Sequence, residues 1–193
     1  EYASNVNFSE ANAALQKALT DDPDFFMAHA LKVFYSSVET KAKAIDQALT
    51  IDAGGFNKAE QIIHQLLTNW DKDPKASTAE QMKALVASYP NTTQAYHWAC
   101  LHSIYTDNNP DAALKYAEKL AALSPDFAPN YNTMGYIYLE NKQMAKAKAA
   151  FENYIKLLPN EANAYDSMGE YYMVNKEYAK SAEYYDKAAS MGM

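Results

Sequence analysis

The sequence contains no arginine: its 17 basic residues are all lysines, set against 24 acidic residues, and the formal net charge is -7. Nucleic-acid binding needs clustered cations and usually the planar fork of arginine on phosphate. The composition therefore disfavours a nucleic-acid partner. The sequence also lacks any run of 18 or more apolar residues, so we expect no part of it to span a membrane.

Cysteine occurs once, at Cys100. A single cysteine excludes an internal disulfide and a zinc site built from several thiolates. A glycine-rich phosphate loop and the motifs of serine and zinc hydrolases are missing as well. We therefore expect neither a cofactor nor catalytic activity.

The sequence begins with Glu1 rather than methionine, which favours removal of an upstream segment by processing or by the choice of chain boundaries. A secretory signal is one candidate for such a segment. A periplasmic or exported location is the expectation, and a cytoplasmic location is the alternative.

Small, aromatic and apolar residues recur with a period of 34 in the second half of the chain. Tyr131, Met134, Gly135, Tyr138, Ala147 and Phe151 are matched by Tyr165, Met168, Gly169, Tyr172, Ser181 and Tyr185. A period of 34 is typical of arrays of helical hairpins, in which each unit buries its apolar face against its neighbours. The sequence therefore predicts an all-α repeat protein.

Gly135 lies inside a predicted helix, where glycine costs about 1 kcal/mol relative to alanine. Such a residue needs a packing reason, and close approach of the second helix of the hairpin supplies one. We expect Gly135 to face Ala147, with aromatic rings such as Phe151 on either side. Pro159 is expected to end the second helix.

These residues resemble the tetratricopeptide repeat, whose pattern runs from a large aromatic through Leu-Gly, Tyr, a small residue, an aromatic and Ala to Pro. The matching residues are Tyr131, Met134, Gly135, Tyr138, Ala147, Phe151 and Pro159, while Tyr154 stands where the family usually has alanine. The resemblance implies a right-handed α-α superhelix of about five helical hairpins plus an N-terminal helix. We expect one such domain over residues 1–193, with clearer repeats at 92–125, 126–159 and 160–193 and degenerate repeats over 9–91.

Short sequence segments in the second half also resemble a narrower group, the exported or envelope tetratricopeptide proteins of Bacteroidetes-type bacteria. The resemblance lies in runs such as Tyr89-Pro90-Asn91 and 125–136. Prolines at 23, 90, 125 and 159 keep the repeat register through the degenerate part.

Helix ends are marked by capping residues. Ser9 is expected to cap the first helix, after a polar and aperiodic lead-in. Ser77 and Glu80 have the spacing of a capping box and predict a helix start. Pro110 follows an asparagine and is well placed as a first helical residue.

His97, Cys100 and His102 lie close together on one predicted helix. Their side chains are candidates for a metal site or a nucleophile. His97 and Cys100 share a face, but His102 points about 140° away from His97, and Cys100 falls at a core position of the repeat. A buried cysteine behaves as a small hydrophobe, so the interpretation is structural and no metal site is expected. His29 and His64 are isolated, and we interpret them as packing or surface residues.

Asp166 and Glu170 share a helix face four residues apart. This spacing could hold a cation or provide a general acid, but it is also typical of a solvated acidic face, which is the preferred interpretation.

A second stripe of each first helix lies beside the core positions. It consists of Trp98, His102 and Tyr105, then Asn132, Tyr136 and Leu139, then Asp166, Glu170 and Met173. The resemblance implies that this row lines a concave groove and that the protein is a protein-interaction scaffold. A groove that is aromatic upstream and acidic downstream suits an extended peptide or helix with an apolar part and a basic or polar end.

Two alternatives stay open. Half of these rings could merely fill gaps between neighbouring repeats, which would make the protein a structural or self-assembling module. The last helix carries Tyr178, Tyr184 and Tyr185 without a polar helix to cover them, so homo-oligomerisation through the C-terminal end is a further expectation. Catalysis is the third hypothesis.

Overall fold

A computed structural model describes residues 8–192, with side chains from Asn12 onward. Within these residues the chain forms eleven α-helices and one short 3-10 helix, and no strand. The α-helices are α1 Phe8–Asp21, α2 Phe26–Tyr35, α3 Val38–Leu49, α4 Lys58–Lys72, α5 Ala79–Ser88, α6 Thr93–Tyr105, α7 Pro110–Leu123, α8 Ala128–Glu140, α9 Met144–Leu157, α10 Ala162–Val174 and α11 Tyr178–Ser190. The all-α prediction is confirmed.

After α1, the helices follow as five pairs. Partners pack together in α2–α3, α4–α5, α8–α9 and α10–α11, and α6 is followed by α7 in the same order. Successive pairs also meet, as α3 does with α4 and α9 with α10. The prediction of an N-terminal helix and five helical hairpins is confirmed. Residues 1–7 of the lead-in and the side chain of Ser9 lie outside the described residues. The helix α1 begins at Phe8, so Ser9 lies inside it and the prediction that Ser9 is its N-cap is wrong.

The described chain divides into two compact units. The N-terminal unit comprises 8–90 and 101–108, and the C-terminal unit comprises 91–100 and 109–192. The division falls inside α6, so that this helix contributes residues to both units. One domain over 1–193 stays a prediction.

Close helix packing in the C-terminal unit explains the helical glycines. A Cβ atom on Gly135 would lie 2.4 Å from Cε1 of Phe151, and one on Gly169 would lie 2.8 Å from Cδ1 of Tyr185. Both distances are far below van der Waals contact, so only glycine fits. The atoms nearest to such a Cβ on Gly135 belong to the fully buried ring of Phe151, and the expected contact with Ala147 stays a prediction. The requirement for a close approach is confirmed.

The turn inside each of the last three hairpins contains one residue with a positive φ angle. Asn108, Lys142 and Lys176, spaced by 34, have positive φ angles of 47°, 56° and 62°. After α8, the amides of Lys142 and Gln143 donate to the carbonyls of Leu139 and Tyr138. This is the hydrogen-bond pattern of a Schellman motif, which ends a helix with one residue in the left-handed region.

A second repeated contact joins each first helix to the turn before it. The phenol of Tyr131 donates to the carbonyl of Pro125 at 3.0 Å, and Tyr165 donates to the carbonyl of Pro159 at 2.8 Å. In the N-terminal unit, His29 Nε2 lies 2.8 Å from the carbonyl of Pro23, also six residues earlier. A carbonyl oxygen can only accept, so Nε2 carries the proton. The degenerate repeat thus keeps the contact with a different ring.

The capping of one helix start differs from expectation. The capping box predicted at Ser77 and Glu80 is wrong: α5 begins after Thr78, whose backbone N–H donates to a carboxylate oxygen of Asp107 at 2.8 Å. A capping box is present instead at the start of α4, formed by Asn57 and Glu60.

The start of α7 agrees with its sequence signals. Pro110 is the first helical residue, and the side chain of Asn109 accepts from the amide of Ala112 at 3.0 Å. Farther along, the tyrosine that departs from the family pattern is accommodated. Tyr154 is fully buried beside Ala128 and Ala164, which leave room for its ring.

Candidate functional site

The predicted row in the C-terminal unit is graded from buried to exposed. Asn132 and Leu139 are buried, Trp98, Tyr136 and Asp166 are half-buried, and Glu170 and Met173 are exposed. The gradient is clearest at one repeated position, where Leu139 is 7% exposed and its counterpart Met173 is 45% exposed. The later repeat therefore offers more of the row to solvent than the earlier repeat does.

A hydrogen-bonded network joins the row of α8 to that of α10. The hydroxyl of Tyr136 lies 3.0 Å from Oε2 of Glu170 and 3.2 Å from Oγ of Ser167. Since the carboxylate can only accept, Tyr136 donates to Glu170. Ser167 Oγ in turn lies 2.9 Å from both Oδ1 of Asn132 and the carbonyl of Asn163, and its single proton serves one of them at a time.

The ring of Tyr136 also contributes to packing. It meets Phe151 edge to face, with ring centroids 5.2 Å apart. Burial, followed by the negative charge of Glu170, raises the pKa of Tyr136 above its ordinary value, so its hydroxyl stays a donor. The same side chain thus fills space between two repeats and presents a polar tip at the row.

Asp166 and Glu170 give the row a negative end. Burial and the neighbouring Glu170 carboxylate raise the pKa of Asp166. Neither side chain forms an ion pair with a lysine among the described residues. Their charge also contributes to raising the pKa of Tyr185, after burial. A pair of carboxylates next to phenol rings and without a cation is electrostatically suited to a cationic group.

In the N-terminal unit, the two residues of the row differ in their exposure to solvent. Tyr105 is 61% exposed, whereas His102 is 8% exposed and packs among aromatic rings. His102 meets Phe34 edge to face at 5.0 Å and stacks on Trp70 at 5.8 Å between centroids. Trp70 is anchored by a hydrogen bond from Nε1 to the carbonyl of Ala76 at 3.1 Å. His102 therefore offers little accessible surface to a partner.

Three of these participants were not expected from the sequence. Phe34 and Trp70 sit in degenerate repeats, where the 34-residue register does not mark them. Ser167 lies next to Asp166 on α10, and only its burial singles it out.

The residues considered as metal ligands or nucleophiles contribute to packing instead. His97 meets Phe127 edge to face at 5.1 Å, and burial lowers its pKa. Burial raises the pKa of Cys100 to about 12, so the thiol stays protonated at neutral pH and is a poor nucleophile or ligand. His64 packs beside Phe56 at 5.7 Å. Over the described residues, no three His, Cys, Asp or Glu side chains are grouped as metal ligands would be.

None of the helices in the described part of the chain is both long and apolar enough to cross a membrane.

Solved structures with a similar fold place these observations in a structural class. A MamA protein structure is 20% identical, covers 95% of this chain and 91% of its own, and has a TM-score of 0.60. MamA 41-end from Desulfovibrio magneticus RS-1 is 15% identical, covers 98% and 97%, and has a TM-score of 0.60. PilW, described as a widely conserved type IV pilus biogenesis factor, is 17% identical, covers 92% and 83%, and has a TM-score of 0.62.

These similar structures are helical repeat proteins of the tetratricopeptide type, and the chain has that all-α fold. At these identities the likeness concerns the fold alone. No family model and no curated protein sequence matches the chain. The resemblance to exported proteins of Bacteroidetes-type bacteria stays a prediction.

Proposed function

We propose that the protein is a non-catalytic interaction module that binds a peptide or a segment of a partner protein along the row of α8 and α10. The observation that carries the proposal is the pair Asp166 and Glu170, which lie beside Tyr136 and form no ion pair in the described chain. The tetratricopeptide-type fold supports the same class of function.

The chemistry of the row indicates what the partner segment should offer. Asp166 and Glu170 are complementary in charge to a lysine or arginine of the partner. The exposed side chain of Met173 can make an apolar contact with the partner close by. Tyr136 can lie against a cation or an aliphatic chain without losing its bond to Glu170. We therefore infer a cationic, partly apolar segment as the ligand class. The other row residues named from the sequence stay predictions: Trp98, His102, Tyr105, Asn132 and Leu139.

The test compares two pairs of charge-neutralising substitutions. Short labelled peptides graded in lysine and apolar content are titrated against the wild-type chain, and segments captured from a native extract follow. Asp166→Asn with Glu170→Gln should weaken binding of the cationic peptides by about tenfold or more, equivalent to roughly 1.4 kcal/mol.

The matched control is Glu183→Gln with Asp186→Asn on α11, which removes the same charge from exposed positions of the same hairpin. It should bind like the wild type. Equal weakening by both pairs would mean that net charge, rather than this row, attracts the peptides. Absence of binding to any cationic peptide would remove the proposal.

A structural or self-assembling role is the second candidate, and one observation favours it. The last hairpin exposes the apolar side chains of Met173, Val174, Tyr178 and Met191. If the module associates with itself through this end, light scattering should show a mass that rises with concentration, and Tyr178→Ser should reduce it. A monomer at all concentrations would exclude this candidate.

A periplasmic or exported location stays a prediction, with a cytoplasmic location as its alternative.

A further inference from the structure

One polar atom in the described chain is buried without a hydrogen-bond partner: Nδ1 of His102. Buried polar atoms in proteins are nearly always paired, because an unpaired one loses its bonds to water without replacement. As an unprotonated nitrogen, Nδ1 only forgoes an acceptor bond. When both ring nitrogens carry a proton, Nδ1 becomes the donor of a charged imidazolium and has no hydrogen-bond partner.

The surroundings of the ring are apolar and come from two other helices. Phe34 of α2 meets the imidazole at 5.0 Å with its plane nearly perpendicular, at 87°. Trp70 of α4 stacks on the imidazole with ring centroids 5.8 Å apart. The centroids of Phe34 and Trp70 are also 5.8 Å apart. The imidazole therefore completes a three-ring cluster that joins the end of α6 to α2 and α4.

Two charged groups face the cluster, and they act in opposite directions. Lys41 of α3 lies over Trp70, with Nζ 4.2 Å from the ring centroid, and its positive charge repels a protonated His102. Asp107, just after α6, attracts a proton on His102. Both oxygens of Asp107 are already engaged, since they accept from the amide and the hydroxyl of Thr78 at 2.8 and 3.0 Å.

We propose that His102 is an acid-sensitive latch of the N-terminal unit: the neutral imidazole holds the end of α6 against α2 and α4, and proton uptake at Nδ1 releases it. The released state hydrates the imidazolium and separates Trp70 from His102. Tyr105, one turn farther along α6, belongs to the segment that is set free.

The direction of the pH dependence follows from the burial of the ring. Burial is the largest cause that lowers the pKa of His102 from 6.5 to about 4, with Lys41 adding to it and Asp107 opposing it. The unfolded or released chain takes up its proton at the higher value and the latched chain at the lower one. The stabilisation is therefore complete above pH 6.5 and is lost progressively as the pH falls towards 4.

The test follows the protonation of His102 and the surroundings of Trp70 in the same samples. Proton NMR of the four imidazoles gives the titration of each histidine, assigned by single substitution. Fluorescence is recorded in a Trp98→Phe background, in which Trp70 is the only indole. We expect His102 to titrate well below pH 6.5, and the emission of Trp70 to shift to longer wavelength over the same pH range.

Two variants separate the latch from general acid unfolding. His102→Phe keeps a ring in the cluster but cannot take up a proton, and it should lose the acid-induced shift of Trp70. His64→Phe, a histidine that also packs among aromatic rings of the same unit, should leave the shift unchanged.

The proposal is overturned if His102 titrates near 6.5, or if His102→Phe retains the same transition as the wild type. Should His102→Phe fail to fold, the NMR titration of the wild-type chain still decides the outcome.

Discussion

The two units of the chain build comparable helical hairpins from different kinds of contact. In the C-terminal unit, contacts recur at the repeat period: Gly135 and Gly169 each meet an aromatic ring of the next helix, and Lys142 and Lys176 end the first helices alike. In the N-terminal unit, the cluster around Trp70 occurs once and has no counterpart at that period. A regular repeat distributes its stability over many equivalent contacts, whereas a single cluster concentrates it.

The difference affects the positions at which the sequence of each unit can depart from the repeat pattern. Periodic contacts allow little freedom, because each glycine and ring must match the neighbouring repeat. The single cluster leaves the rest of the N-terminal unit free to depart from the repeat pattern, as Val33 and the pair Gly54-Gly55 do. It also places an imidazole, that of His102, in the interior.

The largest effect is expected at Trp70. Trp70→Ala should destabilise the chain by about 3–5 kcal/mol, the usual range for removing a large buried aromatic side chain. Hydrogen-exchange mass spectrometry should show the loss of protection first in α2 and α4. Protection lost equally in α8 to α11 would contradict the assignment of the cluster to one unit.

An intermediate effect is expected at Gly135. Gly135→Ala places a methyl group 2.4 Å from the ring of Phe151 and should destabilise the fold by about 1–3 kcal/mol through overpacking. Gly55→Ala is the control, because a Cβ atom there would meet nothing within 4 Å. Thermal melting compares the two. An unchanged melting temperature for Gly135→Ala would show that the helices separate at no cost.

The smallest effect concerns the turns. Lys142→Gly should be neutral or stabilising by up to about 1 kcal/mol, because glycine adopts a positive φ without steric cost. Lys146→Gly, one turn into α9, should instead destabilise by about 1 kcal/mol. Urea unfolding of the two variants measures the contrast. Equal destabilisation would mean that Lys142 makes a contact that outweighs its strained backbone.

Sequence reasoning was strongest where the chain repeats. The period predicted the helical hairpins and the close approach at Gly135, and Asn109 followed by Pro110 predicted the start of α7. Each prediction depends on residues near in sequence or at a fixed offset. The period could not decide which of Ala147 and Phe151 lies nearer to Gly135, because the two residues share a helix face.

The remaining features depend on contacts that no local pattern encodes. The start of α5 is capped by Asp107, 29 residues away from Thr78, and a capping box at Ser77 was the only local signal. The network of Tyr136, Glu170 and Ser167 needed the relative rotation of α8 and α10, which repeat spacing fixes only roughly. The burial of His102 depends on Phe34 and Trp70. These two residues lie in degenerate repeats, where the 34-residue period does not identify core positions.

If the Asp166–Glu170 end of the row attracts a cationic segment, as proposed, association with such a segment should depend on salt. The rate of binding of a lysine-rich, partly apolar peptide is measured by stopped flow at increasing ionic strength, for the wild type and for Asp166→Lys with Glu170→Lys. The wild type should associate more slowly as salt rises, and the variant should associate more slowly at low salt and lose this dependence, because charge pairs chiefly control association. Identical rates and identical salt dependence in the two proteins would contradict the claim.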